Sequence, residues 1–409
     1  MLDIKFIKEN KDLVRQAAKN KNRDVDVDKI LELGELRKNL RTELDALNQR
    51  KKEAANARDY ALGSQLKIDA EDLEKRFSEV DKEFVSLMIK VPNIYSADTP
   101  VGKDESANKV LRQWGEKPVF GFTPHDHAFL GKTLGIIDTE TAAIVAGSRF
   151  TYLKGDLAMM QFALLQFATQ LLVKRGFTLV IPPVFVKPAV QNRMARFLSP
   201  EDHYMFPSDD LMLIGSAEHT LGPMYMDKVL EKKDLPIRLA GYSTAFRREA
   251  GTYGKDTSGI LRQHQFDKLE MEVFSLPEDS LKVQEELVSI QEEILQNLNI
   301  PYQVVIISTG DMAFPDYRQI DIECWMPGQN KYRETHSADL TGNFQSRRLN
   351  TRVKRDNGSI EPVHMNDATA VAMGRTLIAI IENYQQADGS IKIPEILVPY
   401  MNGLREIKK

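Results

Sequence analysis

The amino-acid sequence predicts an α+β protein, with a helical hairpin at the N-terminus and a larger mixed region after it. Residues 28–91 carry apolar residues at helical spacing. Apolar β-type runs such as 178–181, 304–307 and 319–325 occur only in the later part of the chain. A chain in which long helices and strands occupy separate segments is typical of α+β proteins.

Length and composition limit the broad class of protein. The 409 residues are 42% hydrophobic and 28% charged, with a formal net charge of −4. Such a chain can bury a sizeable core and commonly forms two or three domains. The overall charge does not indicate a nucleic-acid-binding protein, although a net value hides local basic patches. We expect two domains, at residues 1–100 and 101–409.

Cysteine content and the absence of targeting signals favour a cytoplasmic protein. Cys324 is the single cysteine, which excludes a disulfide framework and a cysteine-cluster zinc site. The first five residues, Met1 to Lys5, lack the apolar core of a signal peptide. The most apolar helical stretch, 157–173, contains three glutamines and is shorter than a bilayer-spanning helix. We interpret it as a core or interface helix.

The N-terminal hairpin is predicted from three helical patterns. A first helix starts at the Asp3 cap and ends near residues 20–22. A second begins near Asp28 and carries one leucine stripe: Leu33, Leu36, Leu40, Leu44 and Leu47. A third follows a break at Gly63-Ser64, with apolar spacings of four and three at Leu73, Phe77, Val80, Phe84, Leu87 and Val91. This alternation indicates the seam of two helices packed side by side, which Pro92 ends.

Two functions suit such a hairpin. Helices of about 25 residues extend about 40 Å and bury one seam each. The hairpin therefore either serves for packing on the rest of the protein or for dimerisation, or it projects and binds a partner. Arg50, Lys51, Lys52 and Arg58 lie near the predicted tip and favour an anionic partner slightly. A charge run is more often a solvated face.

The segment 246–266 has the residue types of a phosphate site. Arg247, Arg248 and Glu249 precede a loop containing Gly251, Gly254 and Gly259, which Arg262 and Phe266 follow. We predict a strand–loop–strand hairpin. Guanidinium groups bind polyphosphates through two parallel donors, and an aromatic ring can stack on a base. The alternative is a surface hairpin whose ion pairs contribute little.

Two further segments carry candidate ligand-binding groups. Glu334 and Ser337 lie three residues apart and could share a hard cation such as Mg²⁺, although a solvated turn has the same pattern. Arg375 lies in an apolar helical stretch, 369–377. A buried arginine needs a counter-charge, either a protein carboxylate or a ligand phosphate.

Taken in order, these segments resemble the signature motifs of class II aminoacyl-tRNA synthetases, and specifically the seryl-tRNA synthetase family. Residues 147–155 and the helix up to Pro182-Pro183 resemble motif 1. Residues 247–266 resemble motif 2, and Gly374-Arg375 resembles motif 3. The segment 382–390, with Pro394-Glu395 after it, is also typical of the family, so the resemblance covers nearly the whole chain.

The resemblance implies a coiled-coil tRNA-binding arm followed by an antiparallel catalytic sheet, six-stranded and flanked by helices. Arg247 would bind the α-phosphate, and Arg375 the terminal phosphates. Glu249 would accept a hydrogen bond from adenine, and Phe266 would stack on it. The rest of the implied ATP site comprises Arg248, Glu334, Thr335, His336 and Ser337, of which Glu334 and Ser337 would hold Mg²⁺.

The resemblance also implies a serine pocket and a reaction. Ser216, Ala217, Glu218, Arg247, Glu270 and Thr369 would bind L-serine. The family forms seryl-adenylate from serine and ATP, then transfers serine to the 3′ end of tRNA(Ser); tRNA(Sec) is a further candidate acceptor. We also expect a homodimer formed through motif 1, no membrane association and no zinc.

Three positions depart from the family pattern. Ser216 replaces the usual threonine of a Thr-Ala-Glu sequence, and Asp367 replaces a frequent asparagine of motif 3. The hairpin is also shorter than most bacterial arms of the family.

Two rival functions are disfavoured by the sequence. Relatives that charge carrier proteins lack the arm, whereas this chain has residues 28–91. A catalytically silent paralogue would be favoured by loss of Arg247, Glu249 or Arg375, and all three are present.

Overall fold

The computed structural model describes residues 1–196, 200–250 and 259–409. The chain forms two compact units, Met1–Tyr95 and Ser96–Lys409. The loop glycines Gly251 and Gly254 lie outside the described residues.

The first unit, described throughout, consists of four helices: α1 (Ile4–Glu9), α2 (Lys11–Asn20), α3 (Val27–Asn56) and α4 (Tyr60–Met88). Asp3 caps α1 by accepting a 2.8 Å hydrogen bond from the Lys5 amide. Asp59 caps α4 by accepting a 3.0 Å bond from the Leu62 amide. Gly63 therefore lies inside α4, and the predicted break there is wrong. One glycine costs a helix only about 1 kcal/mol, which a good cap and a long apolar seam can offset.

The predicted seam between α3 and α4 is confirmed. Leu40, Leu44, Ala70 and Leu73 are buried there, and Leu47, Phe77 and Val80 pack against them. The two helices have 30 and 29 residues. Each therefore extends about 45 Å at 1.5 Å per residue, somewhat more than expected.

The second unit is built on a large sheet. In the described part of this unit, eight strands lie in the order β1 (Lys109–Trp114), β11 (Tyr302–Ile306), β12 (Arg318–Met326), β13 (Lys331–Gly342), β16 (His364–Ala372), β10 (Gln265–Ser275), β9 (Ile237–Phe246) and β4 (Thr178–Val180). Neighbours are antiparallel except β4 and β9, which are parallel. The sheet is thus larger than the six strands implied by the resemblance.

Shorter strands and helices complete the unit. The other strands are β2 (Ile137–Asp138), β3 (Tyr152–Leu153), β5 (Phe185–Val186), β6 (Met205–Phe206), β7 (Leu211–Leu213), β8 (Val229–Glu231), β14 (Arg352–Lys354), β15 (Ile360–Pro362), β17 (Ile391–Lys392) and β18 (Glu406–Ile407). The helices are α5 (His127–Leu134), α6 (Thr139–Ala146), α7 (Asp156–Lys174), α8 (Pro188–Arg193), α9 (Glu218–Leu221), α10 (Ser280–Asn297), α11 (Phe344–Leu349) and α12 (Met373–Asn383).

Helix α10 is fixed to the centre of the sheet by two buried amides. Gln284 donates a 2.8 Å hydrogen bond to the Ala338 carbonyl. Gln291 donates to the carbonyls of Ser337 and Thr369, at 2.7 and 2.8 Å. These bonds tie β13 and β16 to one helix, so the two strands that carry much of the site have a rigid support.

Among the described helices, α7 is the one long and apolar enough by composition to cross a membrane. It packs on the core through residues such as Leu157, Leu164 and Leu172. Its Gln161 donates a 2.8 Å hydrogen bond to Asp267. These contacts are typical of a core helix, as the sequence predicts.

Candidate active site

One face of the large sheet is apolar and the other is polar. On β10, Leu269, Met271 and Val273 belong to the main core. The residues alternating with them are Lys268, Glu270 and Glu272, which are buried too. Because successive side chains of a strand point to opposite faces, these charged groups lie on the face away from the core. The same alternation on β13 and β16 places Ser337, Asp339, Asp367 and Thr369 on this polar face.

A cleft of about 150 Å³ opens on the polar face. Eight of the sequence-predicted site residues line it: Arg247, Glu249, Phe266, Glu334, Thr335, Ser337, Thr369 and Arg375. They come from three separate segments of the chain, and the fold brings them together.

The segment after β9 supplies one wall of the cleft. Phe246 and Gln265 are paired at the end of the β9–β10 ladder, so the predicted strand–loop–strand hairpin is present. The Arg247 guanidinium lies 5.4 Å from the centroid of the Phe266 ring and donates a 3.1 Å hydrogen bond to the Gly215 carbonyl. Glu249 pairs with Arg262. Arg248 lies 6.0 Å from the Tyr204 ring and is not among the residues lining the cleft.

Arg375 lies in the first turn of α12, immediately after β16 ends. Its guanidinium is 3.0 Å from a carboxylate oxygen of Glu334. Partial desolvation in the cleft acts to raise the pKa of Glu334, but the charge and hydrogen bond of Arg375 outweigh it, so the pKa lies below its usual value. The segment predicted as one helix is therefore strand up to Ala372 and helix from Met373.

The oxygens of Glu334 and Ser337 suit a hard cation. Both residues line the same cleft, and the Glu334 side chain is 49% exposed. An ionised carboxylate with a hydroxyl is a donor set that Mg²⁺ accepts. The residues present therefore fit the implied metal.

Thr335 and His336 lie beside these two residues, but their side chains form hydrogen bonds toward the protein interior. The Thr335 hydroxyl is 3.1 Å from Cys324 Sγ and 2.7 Å from His336 Nδ1. Burial lowers the pKa of His336 to about 4, so its ring is uncharged near neutral pH. His336 is not among the residues lining the cleft.

Below the cleft, the predicted serine-binding residues converge. The Ser216 hydroxyl donates a 3.3 Å hydrogen bond to Glu270, and the Thr369 hydroxyl is 3.4 Å from that of Ser337. Carboxylate oxygens of Glu218, Glu270 and Asp367 all lie within 4.8 Å of one another. Ala217 and Glu218 are buried at the start of α9. This region can bind a small cationic group such as an ammonium.

Charge and burial fix the protonation of this region. Burial acts to raise the pKa of Glu218, but Arg196 and a hydrogen bond with Asp367 hold it well below its usual range. Burial and the charge of Glu218 raise the pKa of Asp367 well above its usual range. Asp367 therefore carries the proton of this pair and Glu218 is ionised.

Several residues of the site were not predicted. Lys268 forms an ion pair with Glu270, and its alternation with Glu270 along β10 could have indicated it. Arg196 lies after α8, where no sequence pattern marks it. His127 contacts both Glu382 and the Ile260 amide beside the cleft, at 3.0 and 3.1 Å. Only tertiary contact identifies the last two.

Comparison with known proteins indicates the family of this chain. Residues 1–95 match the family model described as seryl-tRNA synthetase N-terminal domain. Residues 204–384 match the tRNA synthetase class II core domain (G, H, P, S and T). The chain is 39% identical over 418 residues to the serine–tRNA ligase of Rubrobacter xylanophilus, covering 98% of each chain.

Solved structures give the same result. The crystal structure of seryl-tRNA synthetase from Pyrococcus horikoshii complexed with ATP is similar with a TM-score of 0.92 and 36% identity, over 100% of this chain and 99% of that one. The cytoplasmic serine–tRNA ligase of Naegleria fowleri in complex with AMP has a TM-score of 0.89 and 30% identity, again over 100% and 99%. This chain belongs to the seryl-tRNA synthetase family.

Proposed function

We propose that this protein is a serine–tRNA ligase, which forms seryl-adenylate from L-serine and ATP and then transfers serine to tRNA(Ser). The observation that carries the proposal is the meeting of Arg247 and Arg375 in one cleft with Glu249 and Phe266. Two guanidiniums can bind phosphates, a carboxylate can accept a hydrogen bond from adenine, and an aromatic ring can stack on the base. Together they form a site for a bent nucleoside triphosphate.

In the first step, a serine carboxylate oxygen attacks the α-phosphorus and pyrophosphate leaves with the bond electrons. Arg247 stabilises the charge that develops on the α-phosphate oxygens, and Arg375 binds the terminal phosphates. This is stabilisation by fixed charges, with no covalent role for the protein. Phe266 and Glu249 hold the base. Thr335 lines the cleft and is bonded to His336 behind it, and Arg248 lies on the same hairpin, outside the lining of the cleft.

Glu334 and Ser337 would hold Mg²⁺, which when bound neutralises charge on the phosphate oxygens. Arg375 pairs with Glu334 in this structure, so binding of a phosphate by this guanidinium would compete with the ion pair. Glu334 is then available as an oxygen ligand. No zinc ligand set is proposed.

Serine binds below the α-phosphate. Glu218 is ionised and suits the ammonium, and Ser216, Ala217 and Arg247 complete the walls around the carboxylate. Glu270 and Thr369 would bond the serine hydroxyl. Alanine would leave these buried groups unpaired, which costs several kcal/mol and gives strong discrimination. Threonine is excluded only by pocket size, which discriminates less.

In the second step, the 3′-hydroxyl of the terminal adenosine attacks the seryl carbonyl and AMP leaves. The helices of residues 1–100 form the tRNA arm, and residues 101–409 form the catalytic domain. The arm grips the tRNA mainly through backbone shape and charge. tRNA(Sec) is a further acceptor to assay with the same protein.

We also propose a cytoplasmic homodimer that assembles through motif 1. Phe162 on α7 is 64% exposed, and Ile144 on α6 is 87% exposed. Both lie in or beside the motif 1 segment. Large apolar side chains on two neighbouring chain segments favour a protein interface.

Serine-dependent exchange of pyrophosphate into ATP tests the proposal, with alanine, threonine, glycine and cysteine as controls. Exchange with serine alone supports it, and added tRNA then tests the acceptor. Exchange with a different amino acid would mean a changed specificity. Folded protein with Mg²⁺ that exchanges with none of the five would refute the enzyme.

A further inference from the structure

Arg196 is a buried cation surrounded by carboxylates at the floor of the proposed serine pocket. Its Nε is 3.1 Å from Glu218, and its Nη2 is 3.3 Å from Asp367 and 3.5 Å from Asp339. Asp316 lies 3.9 Å away. The Arg196 side chain is 14% exposed. The four carboxylates come from separate segments of the chain and converge on this one guanidinium.

Among the described residues, carboxyl groups outnumber the cations around this guanidinium. Besides the four carboxylates, Glu270 and Glu272 face the same region from β10. Asp321 on β12 lies close enough to Asp339 of β13 for their charges to interact. Lys268, the neighbouring cation, is paired with Glu270. Burial lowers the pKa of His219 to about 4, so this ring adds no charge near neutral pH.

Several of these carboxyl groups are kept in part as neutral acids, Glu272 and Asp367 among them. Burial, together with Glu218, raises the pKa of Glu272 and of Asp367 well above the usual range. Neither oxygen of Glu272 has a hydrogen-bond partner within the described part of the chain. Glu218, in contrast, stays ionised, and its contact with the Arg196 Nε is the shortest that this guanidinium makes with the four carboxylates.

Resting on the proposed function, we propose that Arg196 is a positioning residue for serine, which holds Glu218 and Asp367 in one arrangement and keeps Glu218 ionised toward the substrate ammonium. Without Arg196, Glu218 would sit among uncompensated carboxylates in a buried site. It would then take up a proton, because an unpaired buried charge is costly. A protonated Glu218 binds an ammonium poorly.

The same contact gives a role to Asp367, which stands where the family frequently has asparagine. Arg196 Nη2 lies 3.3 Å from this carboxyl group, and the proton shared with Glu218 lets Asp367 donate a hydrogen bond as an asparagine amide would. The two residues therefore act as a pair. Removing one should change the effect of removing the other.

The test is a double-mutant cycle in serine-dependent pyrophosphate exchange, with Arg196→Gln, Asp367→Asn and the double variant. We expect Arg196→Gln to raise the KM for serine about tenfold or more, with the KM for ATP changed less than about twofold. In the Asp367→Asn background the same replacement should raise the serine KM less than about threefold. Arg196→Gln should also move the acid limb of kcat/KM for serine to higher pH, whereas Arg196→Lys should restore part of the affinity.

Arg193→Gln is the matched control, because Arg193 lies on α8 near Arg196 but pairs with Asp227, at 2.9 Å. Thermal stabilisation by ATP shows which variants fold; if Arg196→Gln does not, Arg196→Lys and the double variant carry the test. An unchanged KM for serine, or an equal increase in both backgrounds, would overturn the proposed role of Arg196 and leave the proposed function standing. Absence of exchange by the wild-type protein would overturn the proposed function instead.

Discussion

Glu249 has a backbone conformation that most residues avoid, with φ at 53°. Its carboxylate pairs with Arg262 across the β9–β10 hairpin. An ion pair between the two arms of the hairpin can offset the cost of this conformation, which is about 1 kcal/mol or more. The side chain is thereby held at the wall of the cleft, where the adenine amino group is expected.

Glu249→Ala should therefore weaken nucleotide binding more than serine binding. Loss of an acceptor for adenine, together with loss of the ion pair with Arg262, predicts an increase of about tenfold in the KM for ATP. The KM for serine should change little. Pyrophosphate exchange measures both constants, with the exposed Glu231→Ala as a control. Equal KM values for ATP in the two variants would contradict the proposed contact between Glu249 and adenine.

His364 makes stability depend on pH. Burial lowers its folded pKa to about 4, below the ordinary value of 6.5. Between these two values the unfolded chain binds more protons, so the free energy of unfolding falls as the pH decreases from 6.5 toward 4. His364 should contribute at most about 2 kcal/mol of this loss between pH 7 and 5.

The His364→Gln variant isolates the contribution. Buried carboxylates with raised pKa, such as Asp367, act in the opposite direction, so only the difference between the two proteins is informative. Urea unfolding at pH 7 and pH 5 should show a smaller decrease for the variant than for the wild type. A variant with the same or a larger decrease would rule out the effect.

At the scale of elements, the β9–β10 hairpin is anchored by a buried histidine. His127 Nε2 accepts a 3.1 Å hydrogen bond from the Ile260 amide, while its Nδ1 is 3.0 Å from Glu382 on α12. Gly259 has φ at +68°, and a Cβ there would lie 2.0 Å from His127 Nε2. Only glycine allows the histidine to approach this closely. The contact joins the segment that lines the cleft to the helix that carries Arg375.

Gly259→Ala should displace this segment and weaken ATP binding. We expect an increase of about tenfold in the KM for ATP and a loss of about 1–3 kcal/mol of stability. Gly358→Ala is the control, because Gly358 has φ at +81° but nothing within 4 Å of its Cβ. It should share the conformational strain without the change in ATP binding. Similar KM values for ATP in both variants would argue that the contact with His127 does not anchor this segment.

The helical hairpin should act in the second step alone. Replacing the tip residues in a triple variant, Arg50→Glu, Lys51→Glu and Lys52→Glu, should reduce serine transfer to tRNA(Ser) more than tenfold at about physiological salt. Pyrophosphate exchange should be unchanged, since it needs no tRNA. The matched charge reversal, Lys38→Glu, Lys75→Glu and Lys82→Glu, changes exposed residues farther from the tip. Equal losses from both triple variants would indicate a general charge effect.

At the scale of the whole molecule, the exposed apolar residues of α6 and α7 predict the assembly. Phe162→Glu places a charge where the second subunit is expected, so it should convert a dimer into a monomer. Light scattering after size-exclusion chromatography measures the mass. Val119→Glu is the control, since Val119 is 98% exposed and lies outside these two helices. A wild-type monomer, or a variant that remains dimeric, would contradict the proposed interface.

The sequence by itself determined the elements whose signals are local. Leucine spacing predicted the helices of the hairpin, β-type runs predicted β4, β11 and β12, and arginines around a glycine loop predicted the β9–β10 hairpin. Motif order then gave the family. These succeeded because caps, periodicity and turn residues act over a few positions. The wrong break at Gly63 shows the limit, since a seam of many contacts outweighed one unfavourable residue.

Tertiary structure alone decided which charges meet. Arg196 has no local pattern, and its carboxylate partners lie between residues 218 and 367. The ionisation of Glu218 and Asp367 depends on how deeply each group is buried and on the charge of the other. Neither burial nor this pairing can be predicted from a short segment of sequence. The same holds for His127 and Glu382, which lie 255 residues apart. Residue type is local, whereas desolvation and charge pairing arise only when distant segments are packed together.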